Sequence, residues 1–282
     1  MNNFRRYVAK DLEKNILPPF LTPQMNMMEI FEVGSTSWGI NTDESGDDLD
    51  LMGIHLNNID ELIGITKRKD TITYRTRAEG VRSQVGDIDF VSHSLHKFLN
   101  LCLKGNPNVL AFFYTSSDNF WYSLKTRRFN TSLFSDFNTE WLYSKKVAKH
   151  TMAYARNQLD SLIKYGGYGG SKVKRPELVE RYGFDTKYAG HIARLVFAVE
   201  AYMKEGRFYI PLKEHERETV KNIRKGRVHL QTFVVQYKEH LDYLNDYMNY
   251  HWDAPKEPNT LEVNKWIKQI YLERFKYDVS WA

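Results

Sequence analysis

Two rhythms divide the chain. In the first ninety or so residues short apolar runs alternate with polar turns, MEIFEVGS, DLDLMGIHL, TITYRTR and VGDIDFVSH, and these runs read as strands of a sheet. From Ser94 the period changes, because Leu95, Phe98, Leu99 and Cys102 follow the i, i+3, i+4, i+7 spacing of an amphipathic helix that ends near the turn Gly105-Asn106-Pro107. The remainder is mainly helical, over about 140–165, 185–205, 213–224, 228–250 and 260–276, and the longest helix carries a continuous apolar stripe of Leu230, Phe233, Val234, Tyr237, Leu241, Leu244 and Met248. YGGYGGSKVKRPE interrupts these helices as a Gly-rich, basic segment and reads as a mobile loop. HWDAPKEPN is a second break, with Asn259 or Thr260 as the next helix N-cap. The expected architecture is α+β, a sheet-bearing domain over 1–130 followed by an α-helical domain over 131–282.

Composition narrows the class. With 282 residues, 42% of them hydrophobic, the chain can bury a sizeable core. No apolar run is long enough to span a bilayer, and MNNFRRYVAKDLEKN lacks the apolar centre of a secretory signal, so a cytoplasmic location is expected. The single cysteine, Cys102, falls on the apolar side of its helix and reads as a small buried hydrophobe. A net charge of +5 suits a polyanionic partner, and its distribution says more than its size. Acidic pairs cluster in the first ninety residues, whereas Lys164, Lys172, Lys174, Arg175, Arg181, Lys187 and Arg194 gather after about position 160. An acidic site facing a basic wall is the expectation.

The candidate chemistry lies in FEVGSTSWGINTDESGDDLDLMGIHL. A strand ends at Gly34-Ser35, a polar turn follows, and Asp48-Leu49-Asp50 opens the next strand. Residues two apart on a strand share a face, so Asp48 and Asp50 set two carboxylates side by side, an arrangement that a hard divalent cation relieves. Gly34 permits close backbone approach to a phosphate, and the Ser35 hydroxyl can hold phosphate oxygens. A third acid is expected from VGDIDFV, where Asp87 and Asp89 share a strand face ahead of a helix. Asp43, Glu44 and Asp47 read as solvated loop acids. No phosphate-binding GxxxxGK[ST] or GxGxxG motif occurs between a strand and a helix. In the second half, Lys187, His191 and Arg194 fall on one helix face and could contact a triphosphate or an acceptor phosphate, while Tyr188, Ile192, Leu195, Val196 and Val199 form the packing face. Arg224, Lys225 and Arg227 of IRKGR read as a solvated charge run.

Taken together, GSTSWG followed by DDLDL resembles the signature of the DNA polymerase beta-like nucleotidyltransferases. SLHKFLNLCLKGNPNVLAFFY and RYGFDTKYAGHIARL resemble segments of a narrower group associated with RNA repair and often encoded by phages. The resemblance implies a small mixed β-sheet nucleotidyltransferase domain with helices behind it. It also implies two Mg2+ or Mn2+ ions held by Asp48, Asp50 and a third acid, and transfer of a nucleoside monophosphate from a nucleoside triphosphate such as ATP to an acceptor hydroxyl, with an RNA end as the leading acceptor. In that pattern the third acid lies six residues before the leucine of SLHKF, and counting back from Leu95 gives Asp89. Gly34, Ser35, Lys187, His191 and Arg194 are the expected nucleotide-binding residues. Transfer to a protein or small-molecule hydroxyl, or a catalytically silent nucleotide- or RNA-binding module, are the rival readings. A phage gene would place the protein in the host cytoplasm.

Overall fold

The computed structural model describes residues 26–42, 49–78, 81, 86–123, 134–166 and 175–278. Among these residues five strands, β1 (Met27–Glu32), β2 (Leu49–His55), β3 (Thr71–Arg75), β4 (Ile88–Ser94) and β5 (Phe120–Ser123), form one sheet in the order β3-β4-β2-β1-β5. The sheet is mixed: β2 and β4 run parallel, and every other neighbouring pair is antiparallel. The parallel pair is reached by a crossover that places β3 on the outer edge, as a connection between parallel strands requires. β5 was not expected from the sequence. FWYS is too short for a period to show, and its strand character comes from pairing with β1 at the opposite edge.

Among the described residues seven longer helices follow or flank the sheet: α1 (Leu95–Leu103), α2 (Lys145–Tyr165), α3 (Pro176–Tyr182), α4 (Thr186–Glu205), α5 (Glu214–Arg224), α6 (Leu230–Tyr250) and α7 (Thr260–Asp278). Local chemistry sets several of their starts. Ser94, Ser144 and Asp185 each accept a backbone N–H of the first turn of α1, α2 and α4, and Pro176 opens α3, where its missing N–H costs nothing. That proline overturns part of the loop expectation for YGGYGGSKVKRPE. Its last two residues begin a helix, while 167–174 lie outside the described residues.

The sheet buries both faces. Met27, Ile30, Leu51, Ile88 and Phe90 form a small cluster on one side, whereas Phe31, Met52 and Ile54 join the main core with α1 and the helices beyond. An aromatic cluster ties these layers together. Phe112 meets Phe31 at 4.8 Å, Phe98 at 5.3 Å and Phe134 at 4.8 Å between ring centroids, and Phe134 stacks on Trp266 of α7 at 5.1 Å. One hydrophobic core therefore runs from β1 to α7. Residues 124–133, where the expected division at 130 falls, lie outside the described residues. Cys102 is fully buried in α1, and burial holds its thiol well above the ordinary pKa. Among the described residues, no helix is long and apolar enough to cross a membrane.

Candidate active site

Strand register decides which acids meet. β2 and β4 align Asp50 with Asp89, and β3 aligns Arg75 with Asp89, so Arg75, Asp89 and Asp50 form a row across three strands. Asp50 and Asp89 lie on the sheet face that farther along carries Met52 and Ile54 into the main core. Arg75 grips Asp89 through both carboxylate oxygens, Nε to Oδ1 at 2.6 Å and Nη2 to Oδ2 at 3.2 Å. Asp87 goes elsewhere: it accepts from Arg77 at 2.8 Å and Thr76 at 2.9 Å and does not line the cleft described below. Asp48, with Asp43, Glu44 and Asp47, lies outside the described residues.

Beside this row the chain leaves β1 and makes a single helical turn, Gly34–Ser37. Val33 N donates to Asp50 O at 2.9 Å, which seats the turn against the start of β2. Gly34 has φ +78°, and a Cβ there would run into the Asp50 carboxylate, so both its backbone conformation and its lack of a side chain are used. Ser37 Oγ donates to Gly34 O at 3.1 Å and Ile40 N to Ser35 O at 3.0 Å, closing the turn on itself.

Turn and acids form one side of a cleft of about 540 Å3 whose lining includes Gly34, Ser35, Asp50, Asp89, Lys187, His191 and Arg194. The structure thus brings together the described residues expected at the nucleotide site, with Asp89 rather than Asp87 as the acid from β4. The basic residues differ from expectation in one respect. Arg194 is not on an open helix face but is only 6% exposed, with its guanidinium 4.6 Å from the centre of the Trp38 ring. Its Nη2 donates to Asn108 Oδ1 at 2.9 Å and lies 2.9 Å from His191 Nδ1, while Nε has no hydrogen-bond partner among the described residues. Burial lowers the Arg194 pKa to about 10, so it stays charged at neutral pH. Burial, with Arg194 and Arg175 nearby, pushes His191 down to about 3, so its ring is neutral and Nδ1 accepts from the arginine.

Three further residues of the cleft were not among the expected nucleotide-binding residues, although Arg175 was counted in the basic wall. Arg224, read as part of a solvated charge run, is 9% exposed, lines the cleft and donates from Nη1 to Ile40 O at 2.6 Å. The reason is Gly190 on α4, where any side chain would strike the Arg224 stem at 2.7 Å; the glycine lets the arginine cross α4 toward the turn. Asn108 sits on the helical turn after Asn106-Pro107, which the sequence marks only as the end of α1. Arg175 lies at the end of the Gly-rich segment and is held by the buried N-cap Asp185 at 2.9 Å. The turn Gly105-Asn106-Pro107 was visible as helix punctuation, but not that its Asn106 caps the turn carrying Asn108, nor that Asp185 caps α4.

The donor set suits a hard divalent cation: two carboxylates in register on adjacent strands, with a phosphate-compatible glycine turn touching one of them. Among the described residues no group of three metal-ligating side chains forms, and the remaining candidate ligand, Asp48, is not described.

A mixed sheet with an acid on each of two parallel strands beside a Gly-Ser turn, backed by helices, is the arrangement of a polymerase beta-like protein. The family model described as RNA repair pathway DNA polymerase beta family matches residues 22–249, and the chain belongs to that family. The general kind is therefore a polymerase beta-like nucleotidyltransferase linked to RNA repair. Among curated proteins no relative matches the chain.

Proposed function

We propose that the protein transfers a nucleoside monophosphate from a nucleoside triphosphate to an acceptor hydroxyl at an RNA end, releasing pyrophosphate. The observation that carries this reading is the alignment of Asp50 with Asp89 on the floor of a cleft whose lining also holds Gly34, Ser35, Lys187 and Arg194. Asp48, Asp50 and Asp89 would hold two Mg2+ or Mn2+ ions, which when bound supply charge neutralisation at the phosphates and activation of the attacking hydroxyl. Gly34 and Ser35 are assigned the β- and γ-phosphates. Asp89, steadied by Arg75, takes the proton of the acceptor hydroxyl as its oxygen forms a bond to the α-phosphorus and the bond to the pyrophosphate oxygen breaks. Lys187, Arg194 and Arg175 neutralise the departing pyrophosphate, and neutral His191 orients Arg194. The acceptor assignment draws its support from the family and the net charge of +5.

The test is incubation with Mg2+ or Mn2+ and each α-labelled ribonucleoside triphosphate, with and without pooled RNA, beside Asp50→Asn and Asp89→Asn. Label on RNA that disappears in both variants is the expected result. Pyrophosphate release without labelled RNA would redirect the acceptor to a protein or small molecule. Neither product with any metal and donor would leave the chain as a binding module and overturn the reading.

A further inference from the structure

The cleft has a charged part and an uncharged one. Glu32, Asp50, Asp89 and four basic residues supply the charge, whereas α2 contributes Tyr154 and Gln158, one helical turn apart and on the same face. Tyr154 is 36% exposed within the cleft and is not idle there. The His191 ring meets it nearly edge-on, with centroids 6.0 Å apart at 78°. His191 is tied to Arg194 at 2.9 Å, and Arg194 to Asn108 at 2.9 Å, so the tyrosine is buttressed by the same chain of contacts that fixes the cationic side of the cleft. Between them on α2, Arg156 turns away to pair with Asp242 on α6, leaving Tyr154 and Gln158 as the face that α2 offers to the cleft.

A nucleoside triphosphate has the same division, a charged chain and an aromatic base with hydrogen-bonding edges. We propose that Tyr154 and Gln158 form the nucleobase subsite, the base stacking on the Tyr154 ring and the Gln158 amide, which offers a donor beside an acceptor, contacting its edge. This rests on reading the cleft as a nucleoside triphosphate site. It assigns donor recognition to α2 and leaves the phosphates to the sheet and α4.

The subsite can be tested by binding, without turnover. Calorimetric titration of the full chain with each of the four ribonucleoside triphosphates, inorganic tripolyphosphate and a short oligoribonucleotide would be run in magnesium buffer. Wild type would be compared with Tyr154→Leu, Tyr154→Phe and Gln158→Met. Tyr154→Leu is expected to weaken all four triphosphates about tenfold or more while leaving tripolyphosphate unchanged, Tyr154→Phe to restore binding, and Gln158→Met to change the ranking among the bases. Equal weakening of tripolyphosphate would mean the ring acts on the phosphates, and weakening of the oligoribonucleotide alone would mean it serves the acceptor strand; either overturns the subsite while the nucleotide site stands. Wild-type protein that binds neither triphosphates nor tripolyphosphate would overturn both.

Discussion

The neutral His191 makes stability depend on pH in a way that can be isolated. In the folded protein burial and two nearby guanidiniums hold its pKa at about 3, against an ordinary value near 6.5 once the chain unfolds. The unfolded state therefore binds more protons between these values, and stability that is full above about pH 6.5 is lost progressively as pH falls toward 3. The loss amounts to about 1.4 kcal/mol for each pH unit below 6.5, thus about 2 kcal/mol at pH 5. That figure hardly changes if the folded pKa is 4 rather than 3, since at pH 5 the folded ring is neutral in both cases. His191→Asn keeps an acceptor near the Nδ1 position for Arg194 but cannot take up a proton. Urea unfolding followed by tryptophan fluorescence at pH 7 and pH 5 should show wild type losing about 2 kcal/mol more than the variant, because the other titrating groups are common to both. Equal losses in the two proteins would refute a neutral, half-buried His191 and with it the orientation assigned to Arg194.

Gly34→Ala should leave thermal stability within about 2 kcal/mol, the cost of one left-handed alanine, yet reduce nucleotide transfer at least tenfold, because its Cβ displaces the Asp50 carboxylate. Arg224→Met retains volume but removes the donor to Ile40 O; urea melts should show a loss of about 1–3 kcal/mol, and steady-state kinetics a larger rise in KM for the triphosphate than fall in kcat. Arg75→Gln removes a cation that competes for Asp89, so direct Mn2+ titration should show several-fold tighter binding with little change in stability; unchanged binding would count against Asp89 as a ligand. Phe112→Ala, at the centre of the aromatic cluster, should cost about 3–5 kcal/mol in denaturant melts.

What the sequence disclosed follows from how local each signal is. Short apolar runs bounded by polar turns exposed four of the five described strands, and the 3.6-residue stripe of Leu230 through Met248 marked α6, because both patterns are complete within one element. Asp50 was legible for the same reason. Asp89 could be separated from Asp87 only by resemblance, since the distinction is made by the register of β4 against β2 and β3, which sets Asp89 between Asp50 and Arg75 and gives Asp87 to Arg77. Arg224 was misread because charge in a short run says nothing about the far side of a helix: only the packing of α5 against α4, where Gly190 leaves a gap, shows the arginine passing through. Arg194 was correctly placed on the Lys187 face but not recognised as buried, because a helical wheel describes one helix and not the Trp38 ring that covers it. The segment holding Asp48 and the residues from 167 to 174 lie outside the described residues.

The contact between Arg224 and Ile40 joins positions 184 residues apart in the chain. During synthesis the strands bearing Asp50 and Asp89 leave the ribosome well before residue 224 is added, at roughly 5–20 residues per second. For that interval the two acids can be paired while the Gly34 turn still lacks its guanidinium tie and the Trp38 ring lacks the Arg194 that covers it. The guanidinium that clamps the turn is thus among the last parts of the cleft to be made, so a completed site requires translation to have passed α5.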